Sequence, residues 1–200
     1  MTSANPRVVC LSGSLLSESR TERLAIWCTS ILTELGAQVS LYAGSDLDVP
    51  LYRPLPAERV ASVRRMLEAF KWADGVLLVS PTYHGTVSGV LKNALDYIND
   101  LDTPPQPFLD GRPVGCVAVA SGDQGAASTL ATLRTIAHAL RGWPTPIGVA
   151  AWGHAAELAN GSPIDERLVG QLRIMLGQVL AMSTMNARRR RRAEQVATVG

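Results

Sequence analysis

The stretch from Gly75 to Tyr97, GVLLVSPTYHGTVSGVLKNALDY, places the strongest limit on what this chain can fold into. Gly75 to Ser80 is an unbroken apolar run that contains β-branched residues. Apolar residues that continue without alternating with polar ones are typical of a strand buried on both faces. Pro81 has no N–H to donate, so the strand is predicted to end there and Thr82 to Gly85 to form a loop. From Val87 onward, apolar residues recur at three- and four-residue spacings, which predicts a helix.

The same order of strand, polar loop and helix recurs along the whole chain. The other strands are predicted at 6–12, 38–43, 113–120 and 146–151, and the last helix from Ile164 to about Met185. Five strands alternating with five helices predict an α/β fold, a doubly wound parallel sheet in the order 2-1-3-4-5 with helices on both faces. In that order the loops after strands 1, 3 and 4 meet at one crevice.

Size and hydrophobicity favour one domain, predicted over residues 1–186. The chain has 200 residues, of which 46% are hydrophobic, enough for a large core. No apolar run approaches the length of a membrane span, and no charged start leads into one, so we expect no membrane association and a cytoplasmic protein.

The basic character of the chain is concentrated at its end. The formal net charge is +2, and without the five arginines Arg188 to Arg192 it would be −3. No aromatic residues are interleaved with these arginines, so residues 187–200 are predicted to be a solvated, disordered basic tail, and no nucleic acid partner is expected.

Cysteines and histidines give no sign of a metal or disulfide framework. Cys10, Cys28 and Cys116 are odd in number and lie in apolar segments, which predicts reduced packing residues. The three histidines are too scattered for a metal-ligand spacing. His84 lies in the central loop, where positioning or loop packing is favoured over proton donation.

The loop after the first strand is rich in hydroxyl groups and precedes a helix. Its sequence, GSLLSESRT from Gly13 to Thr21, offers hydroxyl and backbone donors where a helix dipole favours a phosphate. It matches neither GxGxxG nor GxxxxGK[ST], so neither nucleotide fingerprint is present. The alternative is that Ser19 and Thr21 only cap the helix.

Three segments together resemble the NAD(P)H-dependent FMN reductases of the flavodoxin-like fold, a three-layer sandwich. They are Gly13 to Thr21, SPTYHGTVSGVLKNALD at Ser80 to Asp96, and SGDQG at Ser121 to Gly125. The resemblance implies that the FMN phosphate is held by Ser14, Ser19, Arg20 and Thr21. It implies that the isoalloxazine is lined by Pro81, Thr82, Tyr83, His84 and Gly85 on one side and Ser121, Gly122, Asp123, Gln124 and Gly125 on the other. Leu16 stands where many relatives have arginine, and Arg20 would replace that cation.

The resemblance further implies a reaction in which a nicotinamide nucleotide, NAD(P)H, delivers hydride to flavin N5, with no catalytic side chain required. Electrons would pass to free flavin or another small acceptor, and reduced flavin could feed a monooxygenase partner. A homodimer or homotetramer is implied, with contacts at 46–56 and at the third helix with the segment that follows it. Arg20, Arg53 and Arg112 are candidates for a 2′-phosphate of NADPH.

Three other functions stay open from the sequence. One is an FMN-bound quinone, azo-dye or metal-oxyanion reductase using the same crevice. Another is a flavodoxin-type electron carrier, against which the pI of about 8.6 argues, because flavodoxins are strongly acidic. The third is an interaction protein with the same fold and no bound flavin.

Overall fold

The computed structural model describes residues 5–54, 58–103 and 106–197. The strands are β1 Arg7–Ser12, β2 Gln38–Tyr42, β3 Gly75–Tyr83, β4 Thr86–Val87, β5 Pro113–Ala120, β6 Trp143–Pro144, β7 Val149–Trp152, β8 Leu158–Ala159 and β9 Ser162–Pro163. The α-helices are α1 Arg20–Glu34, α2 Ala61–Trp72, α3 Gly89–Asp96, α4 Asp123–Ala139 and α5 Glu166–Ala197, and 3-10 turns occupy Gly44–Leu47, Tyr97–Leu101 and Gly153–Ala156.

The central sheet has the predicted order. Its parallel strands run β2-β1-β3-β5, and both β6 and β7 lie beside β5. The predicted fifth strand at 146–151 therefore begins only at Val149, and a separate short strand, β6, precedes it. Pro144 and Pro146 lack the N–H groups that one continuous ladder from 143 to 152 would need. The additional strand β6, together with antiparallel β4, raises the number of strands in this sheet to seven. The doubly wound α/β class and the 2-1-3-4-5 order are confirmed.

Helices cover the sheet on both faces and enclose two cores. Leu24, Leu32 and Leu172 belong to the core under α1 and α5. Phe70, Leu91 and Leu133 belong to the core under α2, α3 and α4. Every residue of β5 is buried, as expected for a central strand covered on both sides.

The predicted end of the central strand at Pro81 is wrong. β3 continues to Tyr83, and Thr82 and Tyr83 pair with Val87 and Thr86 in an antiparallel hairpin. The last β1–β3 pair is Ser12 with Val79. Pro81 therefore lies past the end of the β1–β3 ladder, where its missing N–H costs no hydrogen bond to β1. Val87 consequently belongs to β4, and α3 begins only at Gly89.

The prediction of a disordered tail from residue 187 is also wrong for the described part of it. α5 continues through the arginine run to Ala197, and residues 198–200 lie outside the described residues. Arg190 donates to both carboxylate oxygens of buried Asp74, at 3.0 and 3.2 Å. Asn186 donates from Nδ2 to the carbonyls of Asp74 and Gly111, each at 3.0 Å. These contacts hold the extension against the amino edge of the sheet.

α5 is, among the described helices, the one long and apolar enough to span a membrane by length and composition alone. Its Leu168, Leu172, Met175, Leu176 and Val179 are buried in the core next to the sheet. This packing explains its apolar composition on the side that faces the protein.

Candidate functional site at the carboxyl edge of the sheet

Four loops meet at the carboxyl edge of the sheet, one more than the sequence analysis predicted. The first, central and third loops follow β1, β3 and β5, at residues 13–19, 84–85 and 121–122. The fourth loop begins at Gly153, directly after β7, whose Trp152 lies beside Ala120 of β5. A glycine following a short apolar strand was the sequence signal that could have identified it.

The first loop is built around two serine hydroxyls. Ser14 is buried, and its Oγ accepts from the amide of Leu16 at 3.2 Å. Ser19 caps α1, because its Oγ accepts from the amide of Glu22 at 3.2 Å. The carboxylate of Glu22 in turn accepts from the amide of Glu18 at 2.6 Å. The capping role of Ser19, left open by the sequence, is thus present in the structure.

Arg20 and Thr21 form the first turn of α1, next to the fourth loop. The Arg20 guanidinium donates from Nη1 to the carbonyl of Gly153 at 3.3 Å, and the side chain is half-buried. Thr21 is buried at the same helix end. The first amides of a helix have no intrahelical acceptor, so this end combines a fixed cation with free backbone donors.

The first and central loops are tied together by Ser88. Its Oγ donates to the carbonyl of Gly13 at 2.7 Å and accepts from the amide of Leu91 at 3.1 Å, which caps α3. Its own amide donates to Ser80 Oγ at 3.1 Å. A Cβ on Gly13 would lie 2.8 Å from both Ser88 Oγ and Leu91 Cβ, so the close approach of this loop requires glycine.

The central loop is a tight hairpin turn rather than an open loop. His84 and Gly85 have φ of 51° and 78°, the two left-handed residues of a type I′ turn. The turn is fixed to α4, since Ser128 Oγ donates to the carbonyl of Gly85 at 2.7 Å. Thr82 Oγ1 also donates to the carbonyl of Gly125, at 3.5 Å. The end of β3 and the central loop are therefore in direct contact with the first turns of α4, which follows the third loop.

The exposed groups at this edge suit a flat phosphorylated ligand. Tyr83 and His84 are exposed, and the Cβ positions of Gly85 and Gly122 meet no atom within 4 Å, so a ring could approach the backbone there. Ser12 Oγ, at the end of β1, is buried and has no hydrogen-bond partner among the described residues. With Arg20 and the α1 N-terminus at the other end, these residues fit the FMN group that the sequence implied.

Arg112 and His154 each contact groups of the protein itself. Arg112 is buried, with its guanidinium donating to the carbonyls of Ala73, Phe108 and Lys71, so it is not available to a nucleotide. Within the described part of the chain, no cluster of three metal-ligating side chains is present. His154 lies in the fourth loop, where its Nδ1 is 3.0 Å from a carboxylate oxygen of Glu157.

The 2-1-3-4-5 sheet with its crevice at the carboxyl edge defines a flavodoxin-like protein. Residues 6–157 match the family of NADPH-dependent FMN reductases, and this match places every predicted site residue within the matched part. The chain belongs to that family.

Individual relatives agree with this family. The chain is 31% identical over 119 residues to the NADPH-dependent FMN reductase ArsH of Rhizobium meliloti, a match that covers 60% of this chain and 48% of that protein. It is 29% identical over 153 residues to an FMN-dependent NADPH-azoreductase of Staphylococcus aureus, covering 74% of this chain and 77% of that one. The match to ArsH thus spans about half the length of that relative.

A solved structure shows the same architecture over almost the whole chain. The flavoenzyme NAD(P)H:(acceptor) oxidoreductase FerB from Paracoccus denitrificans superposes with a TM-score of 0.71 at 25% sequence identity. The superposition covers 92% of this chain and 98% of that one. The predicted flavodoxin-like fold is confirmed.

Proposed function

We propose that this protein is an NAD(P)H-dependent FMN reductase that transfers hydride from a nicotinamide nucleotide to FMN. The observation that carries the proposal is the convergence of the loops after β1, β3, β5 and β7 and the α1 N-terminus at the carboxyl edge of the sheet, within the family match. The names of the relatives support FMN and NADPH as cofactor and donor.

The phosphate of FMN would bind at the first loop. Arg20 supplies the positive charge, and the α1 N-terminus supplies amides and a favourable dipole. Ser14, Ser19 and Thr21 surround the same end of the helix. Since Ser19 Oγ already accepts from Glu22, its hydroxyl proton remains as the donor toward a phosphate oxygen.

The isoalloxazine would lie between the central and third loops. One side is formed by the end of β3 and the turn after it, which comprise Pro81, Thr82, Tyr83, His84 and Gly85. The facing group begins just before α4 and continues into its first turn. It consists of Ser121, Gly122, Asp123, Gln124 and Gly125. Asp123 accepts from the Gln124 amide at 2.7 Å, so its carboxylate is partly engaged in the turn.

FMN, when bound, supplies the hydride chemistry at its N5 atom. The protein residues bind and orient the two ligands and shape the electrostatics around them. Amides near Gly85 and at the start of α4 are the donors that would stabilise negative charge on the reduced ring. Neither a nucleophile nor a general base among the side chains is needed for this reaction, and His84 is assigned a positioning role.

Acceptors other than free flavin fit the same site. An azo compound, quinone or metal oxyanion would meet mainly the flavin, and the azoreductase relatives favour this second candidate. A one-electron carrier is disfavoured by the basic composition, with a pI of about 8.6.

An anaerobic absorbance titration tests the proposal. Apo-protein is titrated with FMN, and NADPH or NADH is then added while the long-wavelength flavin band is followed. Saturable binding and rapid bleaching are expected, and the faster nucleotide identifies the donor. Binding without bleaching would assign the protein to the electron carriers, and absence of FMN binding would overturn the flavin site.

For assembly, we propose a homodimer through the 46–56 loop and α3, of which Leu55 and Pro56 lie outside the described residues. The two segments form one surface, since Tyr97 Oη donates to the Pro50 carbonyl at 2.9 Å and the Tyr52 amide to Asn93 at 2.8 Å. Leu51 is 80% exposed on it. A cytoplasmic location and a flavin-dependent monooxygenase partner complete the proposal.

A further inference from the structure

The solvent side of α5 carries an apolar stripe where a surface helix normally carries charge. The stripe, at spacings of three and four residues, consists of Gly170, Ile174, Gly177, Ala181 and Met185, all exposed. Ile174 and Met185 are 54% and 53% exposed. In the most apolar 18-residue window of this helix, only 33% is buried. The side facing the sheet therefore accounts for only part of the helix's apolar character.

The middle of the stripe is open to close approach. Cβ atoms built on Gly170 and Gly177 would meet no atom within 4 Å. The backbone of α5 is therefore uncovered at these two points, two turns apart. A second helix could pack there at the short end of the usual 8–10 Å interaxial distance.

The two ends of the stripe carry opposite charge. At the amino end, Glu166 is exposed and follows Asp165, against one arginine, Arg167. At the carboxyl end, the exposed cations are Arg188, Arg189 and Arg192. Glu166 and Arg188 are 22 residues apart, or about 33 Å along the helix, so they cannot pair within one chain.

We propose that the stripe is a contact between two copies of this chain, with α5 packed antiparallel against α5 of the second copy. Centred at Gly177, a twofold arrangement places Glu166 of each copy opposite Arg188 of the other, because both lie eleven residues from that centre. The helix dipoles are antiparallel as well. This contact is separate from the 46–56 surface, so a protein using both would be a tetramer.

The first test changes the apolar part of the stripe. Ile174→Glu is compared with Ala131→Glu, which adds the same charge to an exposed position of α4 on the opposite face of the sheet. Sedimentation velocity with the full chain is expected to show a change for Ile174→Glu alone. Relative to wild type, either the particle mass is halved or the dissociation constant of self-association rises at least about tenfold. A monomeric wild-type protein, or the same mass for wild type and both variants, would overturn the proposal.

The second test reverses the charges at the ends. Glu166→Arg and Arg188→Glu are each expected to weaken the association several-fold, and the double variant is expected to restore it. Restoration requires contact between copies, since the two residues are too far apart within one chain. Loss of association without restoration would overturn the antiparallel arrangement.

A membrane is the competing occupant for an apolar stripe that ends in arginines. Flotation with vesicles containing phosphatidylserine distinguishes the two. No binding is expected when the stripe is covered by a second copy. Vesicle binding that Ile174→Glu abolishes, with an unchanged particle mass, would replace the proposal with membrane docking.

Discussion

At the residue scale, Ser19 has two roles that experiments can separate. Its Oγ caps α1 by accepting from the Glu22 amide, and the proposed function also gives it a bond to the FMN phosphate. A substitution to alanine removes both roles together, whereas aspartate keeps the cap and brings a negative charge.

We expect Ser19→Ala to lower the free energy of unfolding by about 1 kcal/mol and Ser19→Asp to leave it nearly unchanged. FMN affinity should nevertheless fall further in Ser19→Asp, by about tenfold or more, because the carboxylate repels the phosphate. Urea unfolding and flavin fluorescence titration measure the two quantities. Riboflavin, which lacks the phosphate, is the control ligand and should bind both variants alike; equal FMN affinities for Ala and Asp would restrict Ser19 to capping.

The cysteines permit a second test at this scale. Burial raises the pKa of the Cys28 and Cys116 thiols to about 12, and it raises the pKa of Cys10, with nearby Cys28 adding to the effect. In the native protein we expect no reaction with Ellman's reagent at pH 8, and three thiols after unfolding.

The same shifts determine how stability depends on pH. Unfolded thiols ionise near pH 8.5, whereas the folded ones keep their protons to a higher pH. The contribution of these thiols to the free energy of unfolding is therefore fully present below about pH 8.5 and is lost as pH rises toward about 12. Each thiol contributes a loss of about 1.4 kcal/mol per pH unit in this window. Stability that does not change between pH 9 and 11 would contradict the burial of these groups.

At the scale of elements, α5 packs onto β3 at a point where only glycine fits. A Cβ built on Gly75 would lie 2.0 Å from Ser183 Oγ, and that hydroxyl is buried without a partner among the described residues. The contact joins the first residue of the central strand to the C-terminal helix, and it sets the distance between the two elements.

Gly75→Ala should therefore lower the free energy of unfolding by about 1–3 kcal/mol through overpacking. Adding Ser183→Ala should recover much of the loss, since it removes the clashing oxygen and leaves Ser183 Cβ at 3.3 Å. Gly89→Ala is the control, because its Cβ would meet nothing within 4 Å. Chemical denaturation of the wild type, the two single variants Gly75→Ala and Ser183→Ala and the double variant completes a double-mutant cycle. Equal losses from Gly75→Ala with and without Ser183→Ala would rule out this clash.

The sequence predicted the elements well where the signal was local. Unbroken apolar runs identified β1, β3 and β5. The predicted bounds of β5 are the observed ones, those of β1 differ by one residue, and β3 is three residues longer than predicted. The extension of β3 past Pro81 could not be predicted, because it depends on where neighbouring β1 ends. The separate strand β6 could not be predicted either, because residues 145–148 stand opposite only two residues of β5, a register that no local pattern indicates.

The meeting of the loops at one edge was predicted for the same reason, while the binding roles of their residues remain predictions. Three of its four loops stand out by glycine and hydroxyl content, and the structure brings them together at one edge. The link between Arg20 and Gly153 joins residues 133 positions apart, so no local pattern could indicate it. The capping bond of Ser19 was foreseen as an alternative.

At the scale of the whole molecule, the arginine run is an integral part of α5. The chain separates Arg190 from Asp74 by 116 residues, which is why composition alone predicted a free tail. Asp74 is 4% exposed at its side chain and accepts from the Arg7 amide as well, at 2.9 Å. If the Arg190 guanidinium is removed, the Asp74 carboxylate is still withdrawn from water but no longer has the ion pair that offsets this cost, so the folded state is destabilised.

We expect Arg190→Met to lower the free energy of unfolding by about 2–3 kcal/mol, somewhat below the range for fully buried pairs because Arg190 retains 21% exposure. Arg189→Met, at an exposed neighbouring position, should change it by no more than about 0.5 kcal/mol. Urea denaturation with a constant m-value measures both. Equal stability of the two variants would show that the ion pair contributes nothing to holding the extension.

The hydroxyls of Ser88 and Ser128 give the carboxyl edge a particular kind of motion. Each donates to a carbonyl of a neighbouring segment, at Gly13 and Gly85, so the first loop, the hairpin turn and α4 form one hydrogen-bonded series. Opening one member breaks its bond to the next, so we expect the three segments to exchange their amide hydrogens at similar rates. Hydrogen exchange measured segment by segment checks this, and widely different rates for the first loop, the hairpin turn and the start of α4 would show that they open independently.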